Sequence, residues 1–215
     1  MGSIIGDTQP QVLYFNAIPI RAESVQKLSP KRQVYRFVLD PCQELHGLPA
    51  VVIVKGMKEG WHDEFEEEKK NYERFKSLQG LVIPVFFGEG TFNDGPIIIL
   101  SEVVGKTLYE LSFSKATISL DGLRVRLENA LESIHLLGAE YLDQQLSNFI
   151  LCDTGEIMIV DFEQIDFPPD LEVFRESVNY GGVGTLLYYF SNTRERINRM
   201  PEDVYQRGPP YMFIG

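Results

Sequence analysis

Residues 141–164 read YLDQQLSNFILCDTGEIMIVDFEQ. Three oxygen-bearing side chains, Asp143, Asn148 and Asp161, border two apolar runs, NFIL and EIMIV. Both runs have the length and composition of short strands, with Asp153-Thr154-Gly155 turning between them. Paired as a hairpin, they bring the residue before the first strand and the residue after the second to one end, so Asn148 and Asp161 lie side by side. Hard oxygen donors of this kind suit Mg²⁺, which keeps some waters and takes its remaining ligands from a phosphate. Asp143, one short loop away, would accept a proton from an attacking hydroxyl. Taken singly, Asp143 and Asn148 equally fit residues that cap and turn a chain before a strand.

A second pair of chemically capable residues lies upstream. In WHDEFEEEKKNYERFKSLQG the large apolar residues Trp61, Phe65, Tyr72 and Phe75 follow helical spacing, and Glu68 fills the gap in their stripe. Glu66, Glu67, Lys69 and Lys70 point elsewhere, toward water. A carboxylate pressed against a core needs a cation or hydrogen-bond donors, since burying it unpaired costs several kcal/mol or so. Lys55, closing the apolar strand VVIVK, is the candidate partner. The competing reading leaves Glu68 at the edge of the stripe, reaching out to solvent.

The elements that would position these groups follow from periodicity. QVLYFNAIPI, QVYRFVLD and AVVIVKG read as three strands, broken by Ser29-Pro30-Lys31-Arg32 and by the stretch 41–49. A helix over about 61–78 stops at Gly80. LVIPVFFGEG and PIIILSEVVG add two strands, joined by a turn at Asn93-Asp94-Gly95. After a boundary near Gly105, a helix runs from Asp121, as N-cap, to Leu137, with Gly138 as its stop. Leu123, Leu127, Ala130, Leu131 and Ile134 form its inward stripe. The hairpin follows, then Pro168-Pro169, a helix around 172–190 and a polar tail. The G-G-V-G at 181–184 follows no strand and reads as a turn or helix kink rather than a phosphate loop. The expectation is an α+β chain, a five-stranded β-rich lobe with one helix (1–104) followed by a smaller, mainly helical lobe (105–215).

Composition bounds the partners. The chain has 215 residues, 44% hydrophobic and 24% charged, which is ordinary for a globular protein. Its formal charge of −11 argues against nucleic acid and against anionic membrane surfaces. A nucleotide is still compatible, because one lysine and a divalent cation can meet it locally. No apolar run reaches the roughly 20 residues that span a bilayer. The start, MGSIIGDTQPQVLYF, lacks the pattern of a signal peptide. Cys42 and Cys152 form no redox or metal spacing, and His46, His62 and His135 give no zinc signature, so a reduced, cytoplasmic setting is expected.

Together these residues resemble the protein-kinase-like family. VVIVK is similar to the family's strand-three lysine motif, with Lys55 contacting phosphate, and Glu68 sits where the helix glutamate that pairs with that lysine belongs. DQQLSN is similar to D-x-x-x-x-N, with Asp143 as base and Asn148 as metal ligand, and DFE matches D-F-G except at its last position, with Asp161 on Mg²⁺. SEVVG fits the hinge, where backbone groups near Glu102 and Val104 would meet an adenine edge. KNYERFKSLQGLVIP, together with DFE, looks most like a group of small fungal kinase-like proteins. The resemblance implies a two-lobed kinase-like fold with a truncated second lobe, ATP and Mg²⁺ as cofactors, and phosphoryl transfer to a small-molecule or unidentified acceptor.

Four features depart from the family pattern. SPKR, between the first two predicted strands, contains no glycine with which backbone amides could approach phosphates, though Lys31 or Arg32 would offer side-chain charge. Tyr141-Leu142 replaces His-Arg, removing the usual anchor for a phosphorylated activation loop. Glu163 replaces the glycine of D-F-G, and the stretch after Asp161 is short for a peptide-docking lobe and lacks A-P-E. A pseudokinase acting as a binding or scaffold module is therefore the alternative, its protein partner meeting the aromatic segment around Tyr188, Tyr189 and Phe190. A third reading gives the same residues a non-nucleotide ligand.

Overall fold

The computed structural model describes residues 11–30, 32–115 and 117–200. The N-terminal stretch and Lys31 lie outside the described residues. The chain divides into two compact units, Met1–Val103 and Val104–Gly215.

The first unit is a closed barrel of six antiparallel strands: β1 (Gln11–Phe15), β2 (Ile18–Lys27), β3 (Val34–Leu39), β4 (Val51–Gly56), β5 (Phe86–Phe92) and β6 (Gly95–Ser101). Their spatial order is β1-β2-β3-β4-β6-β5, and β5 returns to β1 through Tyr14↔Thr91 and Phe15↔Gly90. Closure depends on a glycine, because a Cβ at Gly90 would strike the Tyr14 carbonyl. The interior is filled by alternating residues, among them Leu13, Ile20, Phe37, Val52, Val54, Phe92, Ile97 and Ile99. Phe37 meets Phe92 edge to face with ring centroids 5.0 Å apart.

β6 is buried on both faces. Ile97 and Ile99 enter the barrel, whereas Ile98 and Leu100 are buried on the outer side. Cross-strand partners share a face, and Ile98 pairs with Lys55 while Leu100 pairs with Phe86. That outer face carries α1 (His62–Arg74), which buries Phe65, Glu68, Asn71 and Tyr72. A 3-10 turn at Lys76–Leu78 and Gly80 at positive φ end it.

The second unit mixes short strands with three helices. β7 (Gly105–Thr107), β9 (Phe149–Cys152) and β10 (Ile157–Ile159) form one sheet, and β8 (Glu140–Tyr141) pairs with β11 (Ile165–Asp166). α2 (Leu108–Ser112) begins on a capping box between Thr107 and Glu110. α3 (Leu120–His135) buries the expected stripe of Leu123, Leu127, Ala130, Leu131 and Ile134. α4 (Val178–Asn198) starts on Ser177, whose side chain accepts from the Tyr180 amide. No helix among the described residues is long and apolar enough to cross a membrane.

The structure overturns the expected fold class. In place of a five-stranded N-lobe with one helix there is a closed six-stranded barrel, and the second unit is not a mainly helical lobe but carries five strands beside its helices. The two-lobed kinase-like description fails with it. The extra strand arises because QVLYFNAIPI is a hairpin. Asn16 and Ala17 turn it, both at positive φ (51° and 63°), as a two-residue type I′ turn requires. The usual Asn-Gly signal is missing there, so the run reads as continuous. Two boundaries also move. Ser119, not Asp121, caps α3 by accepting from the Gly122 amide, and α4 begins later than 172 because a 3-10 turn fills Phe174–Glu176.

An alanine at φ 63° crowds its Cβ against the following carbonyl. Ala17→Gly removes that contact at the cost of a freer unfolded chain. The expected net gain is about 0.5–1 kcal/mol, read as a higher urea midpoint with an unchanged slope.

Candidate functional site

In the first unit, Lys55 and Glu68 form an ion pair, Nζ to Oε2 at 2.7 Å. Lys55 is 7% exposed and Glu68 fully buried. The pair follows from local geometry: Lys55 stands on the outer face of β4, and Glu68 lies on the buried stripe of α1, one turn from Phe65 and Tyr72. The reading in which Glu68 reaches out to water is excluded by its burial. Two charges so far from water need compensation, and at this distance each offsets the other.

Secondary contacts fix the roll of α1. Lys69 Nζ bridges Glu66 at 2.8 Å and Glu89 on β5 at 2.6 Å. Gln79 spans the same gap, donating to the Tyr72 carbonyl at 2.8 Å and accepting from the Phe86 amide at 3.0 Å. Tyr72 and Phe86 stack with centroids 5.5 Å apart. Partial burial pulls the Lys69 ammonium down, but its hydrogen bonds and attraction to Glu66 and Glu89 outweigh that and leave it above its usual range. At the end of β6, the Glu102 carboxylate takes both prongs of Arg36, at 2.5 and 3.3 Å. The hydrogen bond it donates to Glu102 is the main reason the Arg36 guanidinium is held above its usual value.

In the second unit, the hairpin register pairs Phe149 with Ile159, and the Val160 amide donates to the Asn148 carbonyl at 2.9 Å. Asn148 therefore faces Val160, directly before Asp161. Its side chain is 1% exposed, and its Nδ2 donates to both the Asp143 carbonyl (3.0 Å) and Asp143 Oδ2 (2.8 Å). The other Asp143 oxygen accepts from Gln145 Nε2 at 2.8 Å. Asp161 is 9% exposed and sits at φ 71°, a left-handed conformation uncommon outside glycine, asparagine and aspartate. Asp161 and Glu163 carry carboxylate oxygens within 4.8 Å of each other. Val104 is half used, its carbonyl accepting from the Asp153 amide at 3.2 Å.

Oxygen donors of this kind could hold a hard divalent cation. With the Asn148 nitrogen committed to Asp143, its oxygen must face the other way, where Ser147 Oγ at 3.3 Å is its hydrogen-bond partner. Asn148, Asp161 and Glu163 are hard oxygen donors with no thiolate or imidazole among them. Glu163, which departs from the glycine pattern, adds a carboxylate where the pattern has none.

Tyr141 holds this cluster together. Its ring meets Phe149 and Phe162 edge to face at 5.7 and 5.8 Å, and its hydroxyl donates to the Val160 carbonyl at 2.9 Å. Its own amide donates to Asn179 Oδ1 at 2.8 Å, while Asn179 Nδ2 donates to the Ala139 carbonyl at 2.9 Å. Asn179 is fully buried on α4 and went unread in the sequence. The signal was present, since Asn179 begins the stripe continued by Gly182, Val183, Leu186, Leu187 and Phe190. A carboxamide there poses the same question as Glu68 among aromatic residues.

No protein-family model matches the chain, and no curated protein matches it. Solved structures do. One, described as the crystal structure of WbdD, aligns at TM-score 0.56 and 15% identity, covering 93% of this chain and 50% of that one. At that identity the likeness is one of fold, and this chain spans half the length of that protein.

Two outcomes follow. Glu68→Ala breaks the buried Lys55 ion pair and is expected to cost about 3–5 kcal/mol in chemical denaturation, with part of it recovered when Lys55→Met is added. For Lys69, the folded value is raised, so its contribution is fully present below the unfolded value near pH 10.4 and is lost as pH rises through the folded one. Lys69→Met should accordingly flatten the alkaline limb of a stability–pH profile, measured from about pH 9 to 12.

Proposed function

We propose that the protein is an ATP- and Mg²⁺-dependent phosphotransferase acting on a small-molecule or unidentified acceptor, in line with its motif resemblance to protein-kinase-like enzymes. The observation that carries the reading is the buried Lys55–Glu68 pair. A buried lysine is costly to maintain, and a fixed ammonium is what the α- and β-phosphates of a nucleotide need. Glu68 holds it in place. Asn148 and Asp161, with Glu163 beside Asp161, would hold Mg²⁺, whose charge neutralises the phosphates as the bond to the leaving oxygen breaks. Backbone groups near Glu102 and Val104 would meet the adenine edge.

Asp143 is the acceptor-side group. Its carboxylate is aimed by Asn148 and Gln145 and partly exposed, so it would orient an incoming hydroxyl and take its proton. Phosphoryl transfer asks for placement and charge neutralisation more than covalent chemistry, and a neutral hydrogen-bond frame around one carboxylate supplies placement.

A specific feature favours a second reading, a nucleotide-binding module without turnover and with a protein partner. The β2–β3 connection has no glycine, so it offers side chains instead of bare amides to a phosphate. Turnover separates the two readings.

Mg-ATP at 100 times its dissociation constant should stabilise the protein by about 2.7 kcal/mol, seen as a rise in Tm. Lys55→Ala and Asp161→Asn should each remove that shift. Asp143→Asn should keep it while lowering ATP turnover by about 10²–10⁴-fold. No shift at millimolar Mg-ATP rejects the proposal, and a shift with no turnover favours the binding module.

A further inference from the structure

The three glycines of the G-G-V-G stretch lie inside α4, which runs unbroken from Val178 to Asn198. Glycine weakens a helix interior because it gives up more backbone freedom than any other residue. The surroundings separate the three. A Cβ at Gly181 or Gly184 would meet nothing within 4 Å. A Cβ at buried Gly182 would land on the carboxamide of Gln144, with its Oε1, Cδ and Nε2 as the nearest atoms.

That carboxamide is already engaged. Gln144 Nε2 donates to the Tyr141 carbonyl at 2.9 Å and to the Val178 carbonyl, in the first turn of α4, at 3.1 Å. Along the backbone, the Gln144 amide donates to the Leu142 carbonyl at 3.0 Å and the Gln145 amide to the Asp143 carbonyl at 2.8 Å. Asp143 thus lies inside a tight turn whose next residue is pinned to α4.

We propose that Gly182 is a seat for Gln144, and that the Gln144–Gly182 contact is a latch positioning Asp143. Gln144 is a positioning residue, since it reaches α4 and the loop backbone and acts on Asp143 through them. The missing Cβ at position 182 lets the carboxamide lie against the helix close enough to bridge Tyr141 and Val178. Any larger residue there pushes the amide away, breaks both bonds and loosens the turn that aims Asp143, without touching Asp143, Asn148 or Asp161. The catalytic consequence rests on the phosphotransferase reading, whereas the latch itself does not.

The full-length chain allows two independent readouts: hydrogen exchange of the segment 139–148, and hydrolysis of Mg-ATP with water as acceptor. Gly182→Ala should speed exchange in 139–148 by about tenfold, the scale of one lost hydrogen bond. Its Tm should gain less than in Gly181→Ala or Gly184→Ala, because the two lost hydrogen bonds offset alanine's better helix propensity. Turnover should fall by about tenfold with KM for Mg-ATP within about twofold. Gln144→Ala should behave likewise, and the double variant should be no worse than either single one, since both break the same contact. Gly181→Ala and Gly184→Ala should raise Tm and leave exchange and turnover unchanged. Unaltered exchange in Gly182→Ala, equal loosening by all three alanines, or losses that multiply in the double variant would each overturn the latch. If wild-type protein neither binds nor hydrolyses Mg-ATP, the functional reading fails alone, and the exchange data still decide the latch.

Discussion

A polar group taken out of water must find its partners inside the protein, and that constraint organises both units. In the first, β4 brings Lys55 to the outer face of a barrel whose neighbours there, Ile98 and Leu100, are apolar. The ammonium can stay charged only if an acid meets it. Helix α1 supplies Glu68, and in doing so loses its freedom to roll. A shift of one residue turns the helix by about 100° and carries Glu68 off the interface. The hydrophobic stripe alone would tolerate several small rotations, but the ion pair selects one. Lys69–Glu89 and the Gln79 bridge then hold α1 at the same setting from its two sides.

The second unit answers the same constraint with neutral groups. Asn148 and Asn179 are both buried, and each spends its carboxamide on neighbouring loop residues instead of on an opposite charge. An amide aims the Asp143 carboxylate and leaves its charge in place. Tyr141 extends that frame by packing on Phe149 and Phe162 while its backbone and hydroxyl tie Asn179 to Val160.

What could be read from the letters alone was whatever had a local signature. The Lys55–Glu68 pair was legible because a charge on an aromatic stripe stands out, and the Asn148–Asp161 neighbourhood because a two-strand hairpin has only one way to join its ends. The β1–β2 hairpin was hidden by Ala17, which occupies a left-handed turn position that usually announces itself with glycine. Barrel closure between β1 and β5 joins residues about 75 positions apart, and no periodicity within either strand encodes it. The capping box of Thr107 and Glu110 was present in the sequence, but the helix it opens is too short to show a 3.6-residue pattern. Gly182 was misread because its meaning depends on Gln144, a residue distant in the chain and adjacent in space.

The departures from the kinase-like motif pattern gain a common physical sense in this light. Tyr141 stands where the pattern has histidine, Leu142 where it has arginine, and Glu163 where it has a flexible glycine. A histidine–arginine pair makes the loop sensitive to charge arriving from a phosphate, because arginine pays its desolvation only when an anion meets it. The loop 139–148 is held here by amide hydrogen bonds and edge-to-face rings, neither of which gains from an added phosphate. Glu163 stands where the pattern has the freer glycine, and Asp161 takes up a left-handed φ of 71°. The left-handed φ at Asp161 and the ring packing around Tyr141 hold the chain at both ends of the hairpin in a defined arrangement.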